Sequence, residues 1–226
     1  MKNLMLIICC SVFVFSCFGQ DNDFTNESDP KATALLKKIS EEYKALKSME
    51  VNFSLTIEIP EADVEVQQGK MIQQGDKYRM EMGGREIISN GNKLWLYMED
   101  RNEVQINDID EDEDSENIMS PNDLFNMYEK GEYIYALSAE FTENGKTVQQ
   151  IEFKPIDKYS DYTKLRLTIE KKGNKVKRMK VFGKDGSRYT LTIDKLLKDK
   201  AFAESFFIFN KSEYPAGVRV NDMSMD

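Results

Sequence analysis

Apolar residues recur at three- and four-residue steps near the start of the chain. Leu35, Leu36, Ile39, Tyr43 and Leu46 place one apolar stripe on a helix. Asp29-Pro30 is its start signal: a short acceptor side chain at the N-cap, then a proline where the missing N–H costs nothing. The spacing predicts a helix to about Leu46, and then the period drops to two. Met49, Val51, Phe53, Leu55, Ile57 and Ile59 alternate without interruption, which predicts a long half-buried strand ended by Pro60.

Strand signals then follow closely: 64–72, 78–82, 87–88, 94–98 and 104–109, separated by Gly75-Asp76, Gly83-Gly84 and the hairpin signal Asn90-Gly91. The segment 94–98, Leu-Trp-Leu-Tyr-Met, is apolar on both faces and is expected inside a sheet. Acids dominate 108–116, a predicted solvated loop. Ser120-Pro121 opens a second helix over 121–130, with Leu124, Phe125 and Tyr128 on one face and Gly131 as its stop. Five more strands are predicted at 133–141, 147–153, 163–170, 176–182 and 187–193, and a final one at 206–209.

About eleven consecutive strands joined by hairpin-length loops leave no residues for parallel crossovers, so one antiparallel sheet is expected. A sheet that large must curl, split or close. The expected fold is mainly β (α+β): a curved, unclosed antiparallel half-barrel with helices covering its open face. No composition break divides it.

Composition removes whole classes of function. The 226 residues contain no histidine, so His-based acid–base catalysis, His metal sites and Ser-His-Asp triads are excluded. A net charge of −9 argues against nucleic acid, which needs a Lys/Arg surplus. Residues 1–19 carry Lys2, an apolar run from Leu4 to Phe15 and small residues beyond it. That run is too short for a membrane span and reads as a signal peptide directing the chain to the periplasm. Cleavage after Gly19 is expected, followed by a polar lead-in over 20–29 and a single domain over 30–226. The alternative is acylation of Cys17, because Val14-Phe15-Ser16-Cys17 resembles a poor lipobox. All three cysteines, Cys9, Cys10 and Cys17, lie within 1–19, so the body has no disulfide and no thiolate chemistry.

The remaining candidates for chemistry are weak. Asp108, Asp110, Asp112 and Asp114 alternate like a calcium loop, but its sixth position is Glu113 rather than glycine and its twelfth is Met119. No pair among the 40 acids has a spacing that marks a glycosidase. The lysines over 170–184 alternate with Val176, Met179 and Val181, as on the solvent face of a hairpin. No catalytic residue, metal or cofactor is expected. More informative are Met71, Met80, Met82 and Met98, clustered with Tyr78, Trp95 and Tyr97 in neighbouring strands. Methionine adapts to irregular apolar partners, and a curled sheet offers more apolar surface than two short helices can fill. An apolar ligand cavity is expected, walled by Phe53, Leu55, Met71, Tyr78, Met80, Met82, Ile88, Trp95, Leu96 and Ile106. Alternation forbids Trp95 and Leu96 from both facing inward. Leu35 and Ile39, with Leu124, Phe125 and Tyr128, are the expected lid.

Four stretches carry a family resemblance: 35–57 with Met49-Glu50-Val51-Asn52-Phe53; Ser89-Asn90-Gly91-Asn92-Lys93-Leu94-Trp95-Leu96-Tyr97; Lys184-Asp185-Gly186; and Phe207-Ile208-Phe209 through Gly217-Val218-Arg219-Val220-Asn221-Asp222. Together they resemble the periplasmic outer-membrane lipoprotein carrier proteins, the LolA-like family. The resemblance implies an eleven-stranded unclosed barrel, lid helices, and a hydrophobic cavity for lipoprotein acyl chains. It also implies an inner-membrane lipoprotein-releasing transporter as donor, an outer-membrane acceptor, and a carrier that works as a monomer. A membrane-tethered lipid-binding or envelope-sensing module of the same fold is the alternative. One departure stands out. Better-known carriers have a basic residue and proline before the Tyr78 strand, where they latch the lid; here the positions read Gln74-Gly75.

Overall fold

The computed structural model describes residues 27–109 and 128–224. Asp29 caps helix α1 (Pro30–Lys44) as its sequence signal requires, accepting from the Lys31 amide at 2.8 Å. Twelve strands follow among the described residues. They are β1 (Met49–Glu58), β2 (Glu65–Gln74), β3 (Lys77–Met82), β4 (Arg85–Ser89), β5 (Lys93–Met98), β6 (Glu103–Asp108), β7 (Tyr133–Glu143), β8 (Lys146–Pro155), β9 (Tyr162–Glu170), β10 (Lys175–Gly183), β11 (Arg188–Lys198) and β12 (Arg219–Asp222). They form one sheet in the order β12-β6-β5-β4-β3-β2-β1-β11-β10-β9-β8-β7. The outer strands β12 and β7 do not pair, so the sheet is not closed.

Hairpins account for most of this order. Asn144-Gly145, with φ of 50° and 74°, makes the tight β7–β8 turn that only residues tolerant of positive φ allow. The exceptions are one edge, where β12 joins β6, and the centre, where β1 pairs with its hairpin partner β2 on one side and with β11 on the other. Register shifts interrupt the β1–β11, β9–β10 and β7–β8 ladders. Such bulges bend a strand and raise its twist.

Three expectations are corrected. Residues 206–209 are not a strand: Glu204–Phe207 is a 3₁₀ turn. The twelfth strand is Arg219–Asp222, and it joins β6 in parallel. The sheet is therefore not wholly antiparallel. The one α-helix among the described residues covers only one end of the apolar face: Ala32, Leu36 and Ile39 pack with Tyr135, Ile151, Phe153, Leu165, Leu167 and Ile169 of β7, β8 and β9. The Asp29 amide donates to the Tyr135 carbonyl at 2.8 Å, fixing the helix start to the edge of β7.

The expected signal segment 1–19, the acidic positions 110–116, and Leu124 and Phe125 of the expected second helix lie outside the described residues; within that helix, 128–130 form a turn.

Candidate functional site: an apolar sheet face beside helix α1

Cross-strand partners share a face of the sheet, so the register alone sorts the expected wall residues. Val51, Met71, Met80, Ile87 and Leu96 lie opposite one another in a row across β1 to β5. A second row runs from Phe53 through Gly69 to Met82, and a third from Met49 through Gln73, Tyr78 and Ser89 to Leu94. Leu55 follows Phe53 two residues on and takes the same face. On the far side of β1, Phe53 meets Ile193 and Leu55 meets Leu191 of β11. Seven of the ten expected wall residues therefore belong to one continuous apolar surface: Phe53, Leu55, Met71, Tyr78, Met80, Met82 and Leu96.

The other three do not. Ile88, Trp95 and Ile106 form a row on the opposite face. There they pack with Val104 and Val218, and Phe209 and Tyr214 lie against the same cluster. Trp95 and Leu96 do point to opposite sides, as alternation demands, and it is Trp95 that turns away.

Met49, Val51 and Phe53 are buried on the apolar face, while Met71, Met80, Met82, Leu191, Ile193 and Leu196 around them are only partly so. Among the described residues, α1 reaches this patch through Tyr43, and Leu46 just beyond the helix also packs there. The main contact of α1 lies farther along the sheet. Leu35 and Ile39, expected in a lid, belong to that packed end, and Ile39 is 2% exposed. Tyr128 joins the same end, edge-on to Tyr135 at 6.4 Å between ring centres. Burial, helped by Glu129, pushes its phenol up to about 12.

The opposite face of β2 to β6 is covered by the segment after β11. Its first residues are fastened to the start of β1: the Asp199 amide donates to the Ser48 carbonyl, and Asp199 Oδ1 accepts from the Lys47 amide. Phe202 then donates its amide to Gln74 Oε1 at 3.4 Å, and Lys77 pairs with Glu204. Arg79 is the central anchor. Its Nε donates to Glu86 at 2.5 Å, its guanidinium reaches Glu213 at 3.4 Å, and it stacks 5.2 Å from the Phe206 ring centre. Burial of this guanidinium works against its charge, yet Glu86 and Glu213 outweigh that and raise its pKa. Tyr214 donates its hydroxyl to the same Glu86; burial first, and then that carboxylate, push the phenol well above its ordinary value. A cleft of about 960 Å³ between this strap and β2–β3 is lined by charged residues, among them Glu50, Lys70 and Arg79, and by Ile72, Phe202 and Phe206. Gln74, at the turn where the sequence departs from the better-known carriers, holds this strap.

The basic stretch 170–184 behaves as a solvent-facing ladder. Lys177 and Arg178 share Glu143 and Lys180 pairs with Glu58; on the neighbouring strand β9, Arg166 with Lys164 holds Glu152. Sequence reasoning missed Leu191, Ile193 and Ile87 as members of the apolar face. Alternation marks Leu191 and Ile193, but the pairing of β11 with β1 is non-local and leaves no trace in a window of sequence. Among the described residues no three His, Cys, Asp or Glu side chains converge as a metal site, and no helix is long and apolar enough to cross a membrane.

One of three solved structures compared with this chain shares its fold by TM-score. An uncharacterized conserved protein from Thermus thermophilus superposes with a TM-score of 0.55 at 12% identity, covering 85% of this chain and 99% of that one. A LolA superfamily protein from Nitrosomonas europaea gives 0.42 at 14% identity, over 79% and 97%. LprF from Mycobacterium bovis gives 0.45 at 12% identity, over 78% and 97%. Only the first of these bears on the fold, and at 12% identity it bears on nothing else. No curated protein matches the sequence. The family model described as outer membrane lipoprotein carrier protein LolA matches residues 44–210, well over half of the chain. The chain therefore belongs to the LolA family, whose members are carrier or binding proteins of the periplasm or envelope.

Proposed function

We propose that this protein is a soluble periplasmic carrier that shields lipoprotein acyl chains between the inner and outer membranes. One observation carries the reading: the apolar face across β1 to β5 carries Met71, Met80 and Met82, all only partly buried and outside the main contact of the single α-helix among the described residues. Partly exposed methionines suit an apolar partner of variable shape, because the unbranched thioether repacks at little cost. Phe53, Leu55, Met71, Tyr78, Met80, Met82 and Leu96 form the binding wall, with Ile88, Trp95 and Ile106 supporting it from behind. Each buried methylene of a bound chain contributes ~0.8 kcal/mol, so burial of part of a chain holds it firmly.

No covalent step is involved, and the sequence has no phosphate-binding GxxxxGK[ST] motif, so release depends on transfer to another apolar site. A lipoprotein-releasing transporter as donor and an outer-membrane acceptor complete the cycle, and Leu124 and Phe125 are proposed as its lid. The test is lipid extraction and mass spectrometry of the protein purified from its native envelope, with titration of a fluorescent fatty-acyl probe. Co-purifying acyl chains and saturable probe binding are expected; a lipid-free protein that ignores the probe ends the proposal. Cys17 favours a second reading, a membrane-tethered lipid-binding or envelope-sensing module. Intact mass decides between them, since a diacylglycerol on Cys17 is incompatible with free shuttling.

A further inference from the structure

We propose that the pair Phe53 and Gly69 sets how far an acyl chain can enter along the apolar face. This deepens the function proposed above and rests on it. The register places Phe53 directly opposite Gly69, and Gly69 opposite Met82. A Cβ added at Gly69 would lie 2.3, 2.5 and 2.9 Å from Cζ, Cε2 and Cε1 of Phe53. The far edge of the ring therefore rests on the glycine, lying down across β2 rather than standing up from the sheet. Gly69 has no positive φ, unlike the turn glycines Gly75, Gly83 and Gly84, so its backbone does not demand glycine. What the ring needs at this position is an empty side-chain site.

The other flank of Phe53 is also irregular. Between Asn52 and Phe53 the β1–β11 register slips, so that Asn52 faces Lys195, Phe53 faces Ile193, and Asp194 is the extra residue. A bulge re-aims the side chains beside it. Two independent local devices, a missing side chain on β2 and an extra residue on β11, thus act on one ring.

That ring sits at a boundary. Toward one end of the strands, Met49, Val51, Tyr78 and Ile87 are all less than 9% exposed. Toward the other, Leu55 and Ile57 are partly exposed, and their β2 partners are the polar Gln67 and Glu65. A chain entering from the partly exposed end must pass over Phe53 to reach the buried end. Phe53 is 4% exposed, in one cluster with the partly buried Met71, Met80 and Met82, so with the ring down a chain advances by parting flexible side chains. With the ring forced up by a side chain at residue 69, the path is shortened to the outer part.

Gly69→Ala tests this with hexadecanoyl and decanoyl probes. Every methylene no longer admitted costs about fourfold in affinity. Hexadecanoyl affinity is expected to fall by more than tenfold in Gly69→Ala, while decanoyl affinity changes less than about twofold. Adding Phe53→Leu to Gly69→Ala, which removes the displaced ring, should restore the long chain. Equal losses for both probes, or no restoration, overturn the inference. If Gly69→Ala does not fold, Phe53→Leu alone should raise affinity for octadecanoyl relative to decanoyl, and an unchanged ratio overturns it equally. Should the native chain bind neither probe, the carrier function itself fails, and this inference with it.

Discussion

The two halves of the sheet differ in what covers their backs. In β7 to β10 the helix side is the core: Ile151 and Ile169 are fully buried, and Phe153 is 1% exposed. The reverse side there is a ladder of ion pairs such as Glu152 with Arg166 and Glu143 with Arg178. In β2 to β6 the reverse side is covered by the C-terminal strap, with Ile88 and Val104 buried beneath it. The helix-side face of those strands keeps Met71, Met80 and Met82 partly open. One half thus resembles an ordinary core with a solvated back, and the other is supported from behind so that its front can stay available. Support of that kind is what an exposed apolar face needs, since it contributes little to its own stability.

The contrast can be broken most forcefully in the helix-covered half. Phe153→Ala removes a fully packed ring and is expected to cost ~3–5 kcal/mol in denaturant unfolding. Acyl-probe binding by the folded fraction should remain. A loss below about 1 kcal/mol would mean that the helix side is not the main core. Arg79→Ala strips the strap of its anchor and leaves the buried Glu86 with Tyr214 but without its guanidinium; a loss of ~2–3 kcal/mol is expected. Limited proteolysis should then cut first between residues 199 and 218, and cleavage elsewhere would remove the assigned role of the strap.

Met80→Ala sharpens the other side of the comparison. Because Met80 is only partly buried, roughly 1 kcal/mol or less of stability should go, while the acyl-probe off-rate rises severalfold. A large stability loss with unchanged off-rate would place Met80 in an ordinary core. The smallest effect belongs to the solvated back of the helix half. Arg178, and then Lys177, hold the Glu143 carboxyl down at about 2. A depressed carboxyl stabilises the fold fully above its ordinary value of 4.5 and loses that contribution as pH falls through about 2. Glu143→Gln should therefore be slightly less stable than the native chain at pH 7 and converge with it near pH 2. A constant difference across that range would detach the ion pair from stability.

Much of this was legible in the chain. Alternation and turn signals together located β1 to β11, including β4 and β5, which are apolar on both faces, and β11, which has no fully buried residue. Alternation failed at Phe206-Phe207-Ile208-Phe209, where the strap is apolar in every direction: Phe206 under Arg79, Phe207 fully buried, Phe209 against Tyr214. It also failed to mark β12 as the last strand, since all four of its side chains are exposed and no periodic burial distinguishes them. For the site, alternation within a strand separated Trp95 from Leu96, yet it did not say which of them shares a face with Phe53. That depends on register across β1 to β5, and Ile88, Trp95 and Ile106 were misplaced for the same reason.

The central position of β1 also governs how the molecule is made. Strands β2 to β6 and β7 to β10 can each assemble by local hairpins, but they become one sheet only when β11 arrives to pair with the first strand of the chain. Contacts so distant in sequence impose a large loop-closure cost before they give anything back, so the joining step is slow. A chain truncated before Arg188 leaves β1 and β10 with unpaired edges, and such edges recruit strands from other molecules. Nascent or clipped forms of this protein are therefore expected to aggregate through the very strands that the finished fold hides at its centre.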